Sequence, residues 1–135
     1  MARYFVVTAD GGARSNPVGP AAYGAVVYEN NEVVKELGAS IGVASNNVAE
    51  YSGLIAGLKA VNKIDPSATI LVKMDSKLVV EQMSGRWKVK HPNMQKLVKE
   101  AFAAHDPTLV SYQWIPREEN SHADSILNDV LDSGM

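Results

Sequence analysis

The chain contains no cysteine. That excludes disulfides, thiolate nucleophiles and zinc–cysteine centres, and it fits a reducing, cytoplasmic setting. No apolar run approaches the roughly 20 residues needed to cross a bilayer. The opening Met1-Ala2-Arg3-Tyr4 leads straight into a strand-like segment rather than a signal peptide, so a membrane is not an expected partner. Repeats, low-complexity tracts and linkers are also missing, and residues 1–135 are expected to form one domain. The net charge of −2 argues against a nucleic-acid binder that relies on bulk positive charge. Its distribution is uneven, however. Residues 86–99 hold Arg86, Lys88, Lys90, His91, Lys96 and Lys99 and no acid, whereas residues 100–135 carry acids with Arg117 as the one fixed base. Such a basic patch beside acids suits a phosphate polymer. A solvated helix face accounts for the charge equally well.

What is present reads as alternating elements. Residues 3–9 form an apolar run, and Tyr23–Tyr28 and Glu32–Leu37 flank Asn30-Asn31, a pair suited to a two-residue hairpin turn. Leu54, Ile55, Leu58 and Val61 share one face of a helix predicted over residues 48–63. A strand follows over 68–74, then a short helix from Ser76 to Met83. Met94, Leu97, Val98, Ala101 and Phe102 repeat with helical spacing, as do Ala123, Ile126, Leu127, Val130 and Leu131, with a strand at 108–115 between them. Three antiparallel strands followed by alternating helices and strands predict an α/β fold, a mixed five-stranded sheet flanked by helices.

Four acids fall at element boundaries beside polar or small residues: Asp10, Glu50, Asp75 and Asp124. Three have local explanations. Asn47 and Glu50 have the spacing of a capping box, Ser121 and Asp124 likewise, and Asp75 precedes a helix that an acid could cap. Asp10, before Gly11-Gly12, has no capping duty. Brought together, the four would make an all-oxygen pocket for hard divalent cations, the equipment of two-metal phosphodiester chemistry.

Around these acids the residues form four motifs. Asp10-Gly11-Gly12-Ala13-Arg14-Ser15-Asn16-Pro17 is the first, and Ser45-Asn46-Asn47-Val48-Ala49-Glu50-Tyr51 the second. Asp75-Ser76-Lys77-Leu78-Val79 is the third, and the last runs from Trp114 through Arg117 and Asn120 to Asp124. Together they resemble ribonuclease H of the RNase HI type, in order and across essentially the whole chain. The resemblance implies an endonuclease that cuts the RNA strand of RNA/DNA hybrids with two Mg²⁺ or Mn²⁺ ions, leaving 3′-hydroxyl and 5′-phosphate ends. It implies that Asp10 bridges the ions, Glu50 and Asp75 hold one, and Asp124 holds the other. It further implies that Asn16, Asn46 and Asn47 line the hybrid's minor groove. A monomer is expected. Ser45 and His91 would hold a DNA phosphate, and Trp87 would rest against the DNA strand.

Four features depart from the family pattern. Gly85–Pro92 replaces a long basic protrusion, Val43 stands in place of an arginine, and His91 in place of an asparagine. A loop histidine common before the last aspartate is absent, and Arg117 is the candidate auxiliary in its stead. His122 is expected to point away from the metals. A proofreading-type exonuclease would carry Asp-x-Glu on the first strand, and Gly12 counts against it. A hybrid-binding module without cleavage is disfavoured because all four acids are present. Compact relatives of this pattern sometimes carry a second catalytic domain.

Overall fold

The computed structural model describes residues 3–15 and 18–133. Its elements run β1 (Tyr4–Ala13), β2 (Val18–Glu29), β3 (Glu32–Ser45), α1 (Asn46–Ile64), β4 (Thr69–Met74), α2 (Lys77–Met83), α3 (Pro92–Ala104), β5 (Val110–Trp114) and α4 (Ser121–Ser133). One five-stranded sheet has the order β3-β2-β1-β4-β5. The β1–β2 and β2–β3 pairs are antiparallel; β1–β4 and β4–β5 are parallel. This is the mixed sheet expected. Asn30 and Asn31 turn β2 into β3 with φ of 55° and 65°, the doubly left-handed geometry that matches strand twist.

Side-chain alternation divides β1 between two layers. Phe5, Val7 and Ala9 face α1 and join Ile70, Val72 and Met74 of β4 in the main core. Leu54 and Leu58 of α1 are fully buried against them, and truncating either to alanine is expected to cost about 2–5 kcal/mol. On the opposite face α4 lays Leu127 and Leu131 over Ala22 of β2.

Several boundaries differ from the sequence reading. β3 reaches Ser45 rather than Leu37, because β2 begins at Val18 and pairs with it along its whole length. This long strand lies at the sheet edge; its first half is exposed on both faces, and in its second half Leu37, Ala39 and Ile41 are half-buried between the exposed Gly38, Ser40 and Gly42. Residues Pro107–Leu109 form a 3₁₀ turn, and β5 starts at Val110. Phe102, placed on the buried face of α3 by spacing, is 40% exposed; Ala101 and Ala104 are the buried positions there. No helix among the described residues is long and apolar enough to cross a membrane.

Candidate active site

Parallel pairing of β1 with β4 ends at Ala9 opposite Met74. Asp10 and Asp75 come next on each strand and, by alternation, both face the α4 side. Two glycines then let helices close in on Asp10. A Cβ on Gly11 would lie 2.2 Å from the Ala49 carbonyl carbon and 2.4 Å from the Glu50 nitrogen, so the start of α1 seats directly on β1. Gly24, the cross-strand partner of Asp10, meets α4 in the same way, with its Cβ position 2.2 Å from the Ala123 oxygen. Glu50 and Asp124 are delivered from opposite layers by these two close approaches.

The local explanations of the acids do not hold. Ser45, not Asn47, caps α1, its Oγ accepting from the Val48 N–H at 3.3 Å. Glu50 is therefore too far along the helix for a capping box. Ser76 caps α2 through the Val79 N–H at 3.2 Å, which leaves Asp75 without that duty. Ser121 is itself the first residue of α4, continuing a 3₁₀ turn over Arg117–Asn120, so it is no cap for Asp124 to complement. Asp124 instead accepts from the Asn128 amide at 3.2 Å, one turn onward.

The four carboxylates line one cleft of about 340 Å³, together with Gly11–Arg14, Asn46, Arg117, Leu127, Asn128 and Leu131. Asp10 is 6% exposed and accepts from the Gly11 N–H at 2.9 Å. Burial first, then the Asp75 charge and contact with Asp124, push its carboxyl up to about 8. Burial likewise raises Glu50 to about 7; Asp75 adds to this, while Ser76 and the Arg117 charge act against it. Such a cluster favours partial protonation or a bound cation. Its donors are all oxygen, the set preferred by hard divalent ions. Among the described residues, no three His, Asp or Glu side chains close around one point as a ready cage. The repulsions run in pairs instead, Asp10 with Asp75 and Asp124, and Glu50 with Asp75.

The other expected site residues divide. Asn46 lines the cleft, but its Oδ1 is engaged by the Ala13 N–H at 2.7 Å, which leaves the amide nitrogen to contact a ligand. Ser45 and Asn47 lie outside the cleft wall, as do Trp87 and His91. The Trp87 indole is 45% exposed, which rules out a core role. His91 caps α3, its Nδ1 accepting from the Asn93 N–H at 3.2 Å. Asn16 lies outside the described residues. His122 does turn away from the carboxylates, with Nε2 on Glu36 at 2.5 Å and Nδ1 3.3 Å from the Tyr28 hydroxyl. Two residues near the site escaped the sequence reading. Asn120 and Trp114 both bond to Asp75.

Comparison with known proteins agrees with this geometry. The reverse transcriptase-like family matches residues 8–130. The bifunctional protein Rv2228c of Mycobacterium tuberculosis is 52% identical over 131 residues, covering 95% of this chain. The solved N-terminal RNase H domain of Rv2228c, fused to maltose-binding protein, superposes with a TM-score of 0.90 at 48% identity, covering 98% of this chain and 96% of that one. LC11 ribonuclease H1 in complex with an RNA/DNA hybrid superposes at 0.88 with 34% identity, covering 96% and 98%. The chain belongs to the ribonuclease H family. It spans only 35% of the length of Rv2228c itself.

Proposed function

We propose that the chain is an endoribonuclease that hydrolyses the RNA strand of RNA/DNA hybrids with two Mg²⁺ or Mn²⁺ ions, leaving 3′-hydroxyl and 5′-phosphate ends. The observation that carries this reading is the meeting of four carboxylates, far apart in sequence, in one cleft, with Arg14 and Arg117 as the only bases in its wall among the described residues. The hybrid bound to the related LC11 enzyme supports the choice of substrate.

Asp10, which feels the charges of both Asp75 and Asp124, would be the residue shared between two ions. Glu50 and Asp75 would complete one ion's ligands and Asp124 the other's. When bound, such ions lower the pKa of the attacking water and stabilise the leaving 3′-oxygen. Free Asn46 amide protons at the cleft rim suit 2′-hydroxyls and base edges in the minor groove; Asn47 follows it in sequence, and by the family resemblance Asn16 would join them. The Ser45 hydroxyl, whose oxygen serves as cap, keeps its proton for a DNA phosphate, as His91 keeps Nε2. The exposed Trp87 indole offers a face for a sugar or base. Arg117 can pair with a phosphate oxygen during product departure. One chain holds all four carboxylates, so a monomer suffices, and the lack of cysteine suits the cytoplasm.

The test uses labelled RNA/DNA hybrid, duplex RNA and duplex DNA, each with Mg²⁺, Mn²⁺ or EDTA. Metal-dependent cuts confined to the RNA of the hybrid are expected. Cleavage that survives EDTA, or none with either metal, would refute the reading.

A further inference from the structure

Asp75 occupies a position that neither strand nor helix holds. It follows the last ladder pair of β4 and precedes Ser76, the cap of α2. Two side chains reach it, one from the last residue of β5 and one from the 3₁₀ turn before α4. The Trp114 indole Nε1 donates to the Asp75 backbone carbonyl at 3.1 Å. The Asn120 Nδ2 donates to Asp75 Oδ1 at 2.9 Å and, with its second proton, to the Ala9 carbonyl at 2.9 Å. Ile115 secures the segment by donating to the Met74 carbonyl at 2.9 Å.

The Asn120 bonds join two places of consequence, the residue before Asp10 and the carboxylate of Asp75. Asn120 is 2% exposed, and both of its neighbours are acceptors, so its amide nitrogen must face them. Its Oδ1 is then left buried without a partner. An orphaned carbonyl oxygen is an unfavourable feature to keep unless the nitrogen's position matters. The chemistry of the donor is also informative. A lysine or arginine here would neutralise Asp75, whereas a neutral amide fixes the carboxylate and leaves its charge for a cation.

The geometry points to Asn120 and Trp114 as positioning residues that set the separation of Asp75 from Asp10 and so the metal affinity of the cleft. This rests on reading Asp75 as a metal ligand. Residues that orient ligating carboxylates typically contribute 10–100-fold to metal affinity. Trp114 is 46% exposed, with the Lys77 ammonium 5.8 Å from its ring centroid, so phenylalanine, which keeps an aromatic ring there, is expected to leave the fold intact.

The experiment compares wild type, Asn120→Ala, Trp114→Phe and Asp75→Asn. Mn²⁺ binding is followed by calorimetry, and amide hydrogen exchange is followed on the metal-free proteins. Asn120→Ala is expected to weaken Mn²⁺ binding at least about tenfold, with KM for hybrid near wild type and kcat recovered at high metal concentration. Trp114→Phe, losing one bond to the backbone, is expected to weaken it by a smaller factor. In both, exchange should quicken at Asp75 and Ser76 while α1 stays protected. A purely structural role would lower the melting temperature and leave the metal affinity alone. Metal affinity and Asp75 exchange at wild-type values in both variants would overturn the inference. Should wild type and Asp75→Asn bind Mn²⁺ equally, the two-metal reading falls, and the exchange data alone decide whether the clamp exists.

Discussion

The carboxylate cleft and the basic segment after α2 are built in opposite ways. In the cleft, register between β1, β2 and β4 and the close approaches at Gly11 and Gly24 place each acid. Residues 85–91 hang on local contacts: Arg86 on Glu81, the Gln95 amide on the Val89 carbonyl, and the His91 cap of α3. Arg86, Trp87, Lys88 and Lys90 are all exposed. On the proposed reading, chemistry would reside where long-range pairing fixes the side chains, and substrate attraction where they are exposed to water. Changes in the first region should act on kcat and metal dependence. Changes in the second should act on KM and salt sensitivity.

The sharpest break is Asp10→Asn, expected to reduce metal-dependent cleavage to background. Removing a carboxyl that burial and two neighbouring acids destabilise should leave the metal-free melting temperature level or higher at pH 8. Melting curves beside a cleavage assay check both, and near-normal turnover would sink the shared-ligand role of Asp10.

Stability against pH measures the same strain without any substrate. Asp10 and Glu50 are raised from ordinary values of 3.8 and 4.5 to about 8 and about 7. The folded state therefore holds their protons more tightly than the unfolded state does. Their contribution is complete below pH 4 and is lost as pH rises through 7 and 8. With EDTA present, the unfolding free energy should fall between pH 5 and pH 8, by at most about 1.4 kcal/mol per pH unit for each group. The lowered carboxyls of Glu29, Asp65, Glu81 and Asp106 act in the acid range and do not mask this window. Asp10→Asn should remove much of the slope, and Mg²⁺ should flatten it. A flat wild-type profile would mean that the four acids do not strain the fold.

The contrast also explains what the sequence disclosed. The four acids were legible because each stands in a short motif and the motifs follow one another in order. The sheet was legible from the apolar run of β1, the Asn30-Asn31 turn between β2 and β3, and the order of strands and helices that follows. The second half of β3 was not, because its residues are mostly small, with Gly38, Ala39, Ser40, Gly42 and Ala44 giving little strand signature. The Ser45 cap was hidden behind two asparagines that cap equally well, so α1 appeared to start later. Asn120 and Trp114 were invisible as partners of Asp75 because the separations of 45 and 39 residues are closed only by β4–β5 register. A buried amide amid Glu118, Glu119 and Ser121 carries no apolar signature.

In the basic segment, Lys88→Ala with Lys90→Ala is expected to raise KM several-fold and change kcat less. Each lost phosphate contact should reduce the salt slope of binding by about one. Binding titrations at several salt concentrations provide the measure. An unchanged slope would make these lysines mere solvated surface.

The smallest effect expected is at His122. The family resemblance places a titratable group near the second metal, and this chain has Arg117 in that loop. Arg117 lines the cleft, and its charge acts on Glu50. It cannot exchange a proton near neutral pH, but it can stabilise a departing phosphate. His122 is the nearest titratable alternative in sequence. Its ring nitrogens are taken by Glu36 and Tyr28, over β2 and β3 rather than at the carboxylates. Its contact with Glu36 is partly exposed, 40% and 54% for the two side chains, and even fully charged pairs at such exposure contribute about 0–1 kcal/mol. His122→Ala should therefore change kcat less than about tenfold, below the 10²–10⁴ range of a lost general acid or base. Arg117→Ala should cost more, and its pH–rate profile should keep its shape, since no proton donor has gone. If His122→Ala instead removed one limb of that profile with fold and metal binding intact, the histidine would have to reach the cleft during turnover, and the division between a fixed chemical centre and a mobile periphery would fail at this residue.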